Sequence, residues 1–259
     1  MYDILKIALV QSNLVWENPE QNRINFRNTI EAITDPVDLI ILPEMFTSGF
    51  TMNADPVAEN MTGKTIIWLQ QLAQLKQAAI TGSLIIKEDH KYYNRLLFVH
   101  PDGTIDHYNK RHTFTLAGEH KVYESGAQHK IITYKGWKLK PLVCYDLRFP
   151  VWSRNTEEYD VLFYVANWPK IRIAAWDTLL KARAIENMSY CVGVNRVGLD
   201  GNGYEYSGHS AAYDALGERL DTIPEAKEAI DIITLDKEHL STYRTKLGFL
   251  KDRDTFTLK

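Results

Sequence analysis

Residues 92–110 read YYNRLLFVHPDGTIDHYNK. Pro101-Asp102-Gly103 has the composition of a tight turn, and apolar, aromatic-rich segments flank it. The stretch predicts a β-hairpin, two antiparallel strands with no crossover helix between them. A second hairpin is predicted in HKIITYKGWKLKPLVC, residues 129–144, turning at Lys135-Gly136. These two hairpins decide the fold class, because the segments on either side read differently.

Upstream, YDILKIALVQ (2–11) predicts a strand, and Asn18-Pro19 marks a helix start, a capping side chain before Pro in the first turn. Ile24, Arg27, Ile30 and Ile33 fall on one face of that helix. VDLIILP (37–43) is a continuous apolar run, as in a strand covered on both faces. GKTIIWLQQLAQLKQ (63–77) places Ile66, Leu69, Leu72 and Leu75 at helical spacing. AAITGSLIIK (78–87) is strand-like, with Gly82 marking a bulge or a close backbone approach. Downstream come a short helix after residue 144, the strand DVLFYVAN (160–167), the helix AAWDTLLKARAIEN (174–187) and the strand YCVGVNRV (190–197). HSAAYDALGERLDTI (209–223) and EAIDIITLD (228–236) read as further hairpin strands. The class is therefore α/β, with a mixed sheet or two packed sheets. A doubly wound parallel sheet would need helices where the hairpins stand. No repeat and no Pro/Gly/Ser-rich linker divides residues 1–259, so one domain is expected.

Composition narrows the function. Apolar residues at 45% and charged residues at 24% suit a soluble globular chain able to bury a core without disulfides. The net charge of −3, with both signs mixed, offers no basic stripe for nucleic acid. The N-terminal segment MYDILKIALVQSN lacks signal-peptide features, and no apolar run approaches the ~20 residues of a membrane span. The two cysteines, Cys144 and Cys191, suit a reducing compartment, and a cytoplasmic protein is expected.

Three predicted strand ends carry reactive groups. Cys144 closes an apolar run and precedes Tyr145-Asp146-Leu147-Arg148. It reads either as a core cysteine or as a nucleophile. Glu44 follows LIILP; a loop glutamate is usually solvated, but walled by Met45, Phe46 and Phe50 it could act as base and then acid. Lys110 follows the first hairpin and opens a loop of about seventeen residues, long for a compact domain. Beside a thiol it would lower the thiol's pKa and donate to a developing oxyanion. Glu119, in the same loop, could pair with Lys110 or with Lys121. Together Glu44, Lys110 and Cys144 supply a base, an oxyanion donor and a nucleophile, a set suited to acyl transfer from an amide or nitrile. Other combinations stay open on the residues alone, among them a Cys-His pair using His112 or His120.

The segments LPEMFTSGF (42–50), YNKRH with AGEH and ESG (108–126), and LVCYDLRFPVWSRN (142–155) resemble the carbon–nitrogen hydrolase, or nitrilase, superfamily. The resemblance extends over nearly the whole chain. It implies a four-layer αββα sandwich of two mixed sheets flanked by helices, and dimers paired through helices. It also implies that Glu44, Lys110 and Cys144 are catalytic and that Glu119 supports them. Tyr145-Asp146 follows the cysteine where true nitrilases usually have Trp-Glu, which favours the amidase branches. With YVANWP (164–169) and RAIENMSYC (183–191), the pattern looks most like bacterial omega-amidases, which release ammonia from 2-oxoglutaramate and 2-oxosuccinamate.

On that resemblance Lys110 and the backbone N–H of Tyr145 would hold the oxyanion, and no metal or other cofactor is needed. None of the eight histidines forms a helical ligand pair, although His107, His112, His120 and His129 cluster around the loop. GLDGNGYEYSG (198–208) lacks the strand-to-helix setting of a phosphate loop. The distal carboxylate of such a substrate calls for arginine, with Arg148 and Arg172 as candidates. Phe46, Phe114, Trp168 and Trp176 are candidate pocket walls, or simply core aromatics. The expected partners are a small amide substrate and a second copy of the chain. Rival readings are another amide or N-carbamoyl substrate, a nitrilase, a metal-dependent phosphohydrolase on a similar sandwich and a non-catalytic binding protein.

Overall fold

The computed structural model describes residues 3–258; Tyr2, the first residue of the expected opening strand, lies outside them. The chain runs β1 (Ile4–Gln11), α1 (Pro19–Glu31), β2 (Leu39–Ile41), α2 (Lys64–Lys76), β3 (Ala79–Glu88), β4 (Lys91–Val99) and β5 (Ile105–Asn109). It continues with β6 (Ile132–Tyr134), β7 (Trp137–Val143), α3 (Pro150–Ser153), β8 (Val161–Ala166), α4 (Ile173–Asn187) and β9 (Tyr190–Asn195). It closes with β10 (Val197–Leu199), β11 (Glu205–Ser207), β12 (Ala211–Tyr213), β13 (Ala229–Asp236) and α5 (Lys237–Leu247). No helix among the described residues is long and apolar enough to cross a membrane.

Two mixed sheets result. One is ordered β13-β1-β2-β3-β4-β5, the other β12-β9-β8-β7-β6. In each, three central strands are parallel, β1-β2-β3 and β7-β8-β9, and antiparallel strands flank them. Both predicted hairpins form, β4–β5 and β6–β7. Lys135 and Gly136 turn with φ of 47° and 78°, the left-handed pair that suits the twist of a two-residue hairpin.

Period-two alternation assigns the layers. Leu5, Ile7, Leu9, Leu39 and Ile41 face the second sheet and pack with Leu139, Val161 and Phe163. Ala8, Val10, Ile40 and Leu42 face outward and pack with Phe26 and Ile30 of α1 and Ile66, Leu69 and Leu72 of α2. On the far side, Trp176, Leu180 and Ala184 of α4 cover the second sheet. The order helix–sheet–sheet–helix is the four-layer sandwich that the motifs implied.

Asn18 caps α1 by accepting from Gln21 N at 3.0 Å, an interaction worth ~1 kcal/mol. The buried face of α1 differs from the expected one. It carries Asn22, Phe26 and Ile30, while Ile24 is exposed, because the helix turns Phe26 onto the sheet. Leu75 at the end of α2 is likewise exposed. Gly82 is a close approach without a bulge: the β3–β4 register is unbroken, and a Cβ there would stand 2.9 Å from the Phe46 ring.

The last two predicted strands do not form a hairpin with each other. β12 joins β9 in the second sheet, and β13 crosses to pair antiparallel with β1 along its whole length. β13 thereby covers the open edge of the first sheet. Helix α5, not predicted, starts at Asp236, whose carboxylate accepts from Glu238 N and His239 N. It buries only Leu240, so it has too weak an apolar stripe to be read from periodicity.

Candidate active site

Glu44, Lys110 and Cys144 each leave the C-terminal end of a strand or its extension, and the stacked sheets bring those ends to one place. After β2 the chain turns sharply, with Met45 at φ 43° and its N–H donating to Ser83 Oγ at 2.8 Å. That turn points Glu44 inward, where it is fully buried. Lys110 follows β5. Its N–H donates to Asn94 O at 3.0 Å, and its carbonyl accepts from Gly126 N at 2.8 Å. Only glycine fits at 126, since a Cβ would meet Asn109 O at 2.1 Å.

The Lys110 ammonium donates to Glu44 Oε1 at 2.9 Å and to Glu119 at 3.0 and 2.9 Å. Glu119 is fully buried and also accepts from Phe114 N. It therefore pairs with Lys110 and not with Lys121. Glu44 is ringed by donors and not by the expected apolar wall: Asn94 Nδ2 reaches Oε1 at 2.8 Å, and Asn167 N reaches Oε2 at 2.8 Å. Asn167 Nδ2 also donates to Glu44 O at 2.6 Å. Of the three apolar neighbours, Phe50 lies 5.2 Å from Lys110 Nζ, Met45 packs with Ala54 and Val57, and Phe46 turns into the helix-side core.

Cys144 opens a 3-10 turn directly after β7 with φ 46°, in the left-handed region. A non-glycine residue there carries strain of order 1 kcal/mol, and surrounding contacts must hold it. Asp146 does so. Its carboxylate accepts from Val143 N at 3.0 Å, Tyr108 OH at 2.8 Å, and both His112 N and Nδ1, at 2.9 and 2.8 Å. Cys144 Sγ lies 3.9 Å from Asn167 O and faces a cavity of about 580 Å³ that Lys110 and Asn167 also line. Tyr145 N–H sits in the first turn, where backbone donors have no intrahelical acceptor.

The electrostatics reverse one expectation. Burial pushes the Cys144 thiol well above its ordinary pKa, the Glu44 charge adds to this, and Lys110 only partly opposes it. Burial first, and then two carboxylates against one ammonium, favour the protonated thiol over the thiolate. Burial alone would lower the Lys110 pKa, but Glu119 and Glu44 more than compensate, and the ammonium is held charged. Glu119 is raised by burial, and Lys110 works against that rise.

Of the proposed pocket walls, Phe114 and Trp168 line the cavity, as do the two candidates for the distal carboxylate, Arg148 and Arg172. Phe46 and Trp176 do not. Phe46 stacks edge-on against Phe26 at 5.4 Å, because Gly82 leaves room for its ring on the helix side of the sheet. Trp176 is buried under α4, donating to His209 O at 2.7 Å. His112 is spoken for by Asp146 and stacks on Phe149 at 3.6 Å, and His120 is exposed, so neither is placed as the partner of a Cys-His pair. Among the described residues no group of three His, Cys, Asp or Glu side chains could hold a metal. Asn94, Asn167 and Asp146 were not singled out as site residues from sequence. Asn167 carried a usable signal, a polar side chain at the end of the apolar run VLFYVA. Asn94 did not, because it stands inside a hairpin strand beside Arg95.

Iodoacetamide is expected to place one adduct on the intact protein, at Cys144. Cys191 is fully buried, whereas Cys144 lines the cavity and is reachable from it. Peptide mapping showing equal, slow labelling of both cysteines would contradict an accessible reactive thiol at 144.

Comparison with known proteins agrees with this geometry. The model of the family described as carbon-nitrogen hydrolase matches residues 6–245. The omega-amidase YafV of Yersinia enterocolitica is 46% identical over 257 residues, 98% of each chain. The 2-oxoglutaramate amidase of Bacillus subtilis (strain 168) is 32% identical over 219 residues, 83% of this chain and 84% of that one. Among solved structures, XC1258 from Xanthomonas campestris superposes with a TM-score of 0.96 at 42% identity over 99% of both chains. That protein is a CN-hydrolase superfamily member with an arsenic adduct in its active site. With its four layers, its buried Glu-Lys-Glu cluster beside a strand-end cysteine and these relatives, the chain belongs to the carbon–nitrogen hydrolase family.

Proposed function

We propose that this chain is an omega-amidase that hydrolyses the terminal amide of small 2-oxo acid amides, 2-oxoglutaramate and 2-oxosuccinamate, to the dicarboxylate and ammonia. One observation carries the reading. The cavity that Cys144 and Lys110 line also holds two guanidinium groups, Arg148 and Arg172, that have no carboxylate partner among the described residues. Each instead lies over an aromatic ring, Arg148 over Trp168 at 4.9 Å and Arg172 over Phe114 at 5.2 Å. Stacked, uncommitted guanidinium groups suit a planar carboxylate. The relatives bearing omega-amidase and 2-oxoglutaramate amidase names support the same substrate class.

In this mechanism Glu44 takes the Cys144 proton as Sγ bonds to the amide carbon. Negative charge moves from sulfur to the amide oxygen. Lys110 and the Tyr145 N–H stabilise that oxygen; one such donor is typically worth ~3 kcal/mol. Glu44 returns the proton to the leaving nitrogen, the C–N bond breaks, and ammonia departs from a thioester. Water then enters, Glu44 takes its proton as the water oxygen bonds to the acyl carbon, the C–S bond breaks to release the carboxylic acid, and Glu44 gives the proton back to sulfur. The raised thiol pKa suits this sequence, because proton transfer accompanies attack and no third anion is stored beside Glu44 and Glu119. Glu119 holds Lys110 in place. Val151 on α3 and Ile185 on α4, 49% and 45% exposed, support a homodimer paired through these helices. Two unpaired cysteines support a cytoplasmic setting.

Ammonia release across ω-amides, N-carbamoyl compounds and nitriles tests the reading. Turnover is expected for 2-oxoglutaramate and 2-oxosuccinamate, and a steep loss for amides without the distal carboxylate. Silence on both 2-oxo acids with turnover of another amide would remove the substrate assignment and keep the hydrolase. Equal turnover of carboxylate-free amides would remove the role of the arginines.

A further inference from the structure

Asn94 stands inside β4, opposite Ile85 of β3, and is 1% exposed. A polar side chain at that depth needs partners. Its Nδ2 has two, Glu44 Oε1 at 2.8 Å and Glu119 Oε1 at 3.3 Å. Its carbonyl oxygen accepts the Lys110 N–H, so the backbone that positions the lysine also positions this amide. The amide cannot be turned over. Flipped, its oxygen would face two carboxylate oxygens, acceptor against acceptor. In the orientation that the neighbours require, its own Oδ1 is buried without a partner among the described residues. The side chain thus sacrifices one polar atom and aims its only donor group between the two carboxylates.

The charges show what this does. Glu44 and Glu119 share one ammonium, Lys110, and all three side chains are at most 1% exposed. Lys110 and Asn94 each bridge the pair, donating to the same two oxygens, Glu44 Oε1 and Glu119 Oε1. With the Nδ2 donor gone, two like charges in a dry site face each other with one cation between them. Proton uptake by the pair is then the cheapest relief. A proton on Glu44 removes the base, and a proton on Glu119 loosens Lys110.

We propose that Asn94 is a positioning residue that keeps the Glu44–Glu119 pair jointly ionised and so sets the lower pH limit of the reaction. The proposal rests on the amidase reading above. Its test is the pH profile of Asn94→Ala and of the near-isosteric Asn94→Asp. In Asn94→Ala the acid limb of kcat/KM is expected to move upward by about one pH unit, with KM little changed. In Asn94→Asp it is expected to move further, because the donor becomes a third carboxyl group. The pH dependence of Cys144 alkylation by iodoacetamide is expected to move with it and needs no substrate.

A fall in rate that is equal at every pH, with both limbs unmoved, would overturn the proposal and leave Asn94 a packing residue. Should the alanine protein fail to fold, the aspartate protein decides on the same criterion. Wild type that releases no ammonia from any amide would remove the amidase reading. The alkylation limb would still separate a moved from an unmoved Asn94 effect.

Discussion

Glu44→Gln is expected to lower kcat by about 10⁴-fold, the upper end of what one general base supplies. Three donors converge on this carboxylate, from Lys110, Asn94 and Asn167. Glutamine keeps the volume but can accept at only one oxygen, and it cannot take a proton from sulfur. The loss should be severe because the Cys144 thiol is held protonated by burial and by its carboxylate neighbours. No other base is placed to help: His112 Nδ1 is engaged with Asp146 at 2.8 Å. Steady-state ammonia release measures the effect, and a thermal melt shows that the fold persists. Near-normal turnover would remove Glu44 as the base and reopen the Cys-His reading.

Lys110→Met is expected to damage both stability and catalysis. Removing one partner of a buried charge cluster typically costs ~3–5 kcal/mol, since the remaining charges stay buried without compensation. Two carboxylates, Glu44 and Glu119, would be left facing each other. The sign of the pH effect follows from Glu119. Its folded-state pKa is already raised by burial, and Lys110 is the charge that opposes the rise. Without the lysine it rises further, so the folded state binds more protons than the unfolded one above the ordinary value of 4.5. A carboxyl with a raised folded pKa loses stability as pH increases. The variant should therefore be most stable in mild acid and lose ground steadily towards pH 8, relative to wild type. Urea unfolding at pH 5 and pH 8 measures the difference. kcat should fall by a further ~10²–10³-fold from loss of one oxyanion donor. A pH-independent stability loss would mean that the lysine acts through packing and not through charge.

Much of the fold was legible because its signals are local. Turn chemistry at Pro101-Asp102-Gly103 and Lys135-Gly136 specified both hairpins. Asn18-Pro19 specified the start of α1, and unbroken apolar runs marked the parallel strands. The failures are non-local. β13 reads as the partner of a neighbouring segment, yet it crosses to β1, because the open edge it covers was made more than 200 residues earlier in the chain. On α1, Phe26 displaced Ile24 from the core, since the sheet decides which face is buried.

The candidate site divides in the same way. Sequence by itself determined which reactive groups stand at strand ends, Glu44, Lys110 and Cys144, because a reactive residue just past a strand is a local pattern. It also determined that the residues after the cysteine carry the amidase pattern. Only the tertiary structure decided that the stacked sheets bring these ends together, that Asn94 and Asn167 complete the ring of donors, and that Phe46 and Trp176 belong to the core. It alone decided the state of the thiol. A local reading counts Lys110 as an activating neighbour, but pKa depends on every charge within a few ångströms and on the water excluded around them. Those quantities are set by packing in three dimensions, and here burial together with two buried carboxylates outweighs one ammonium.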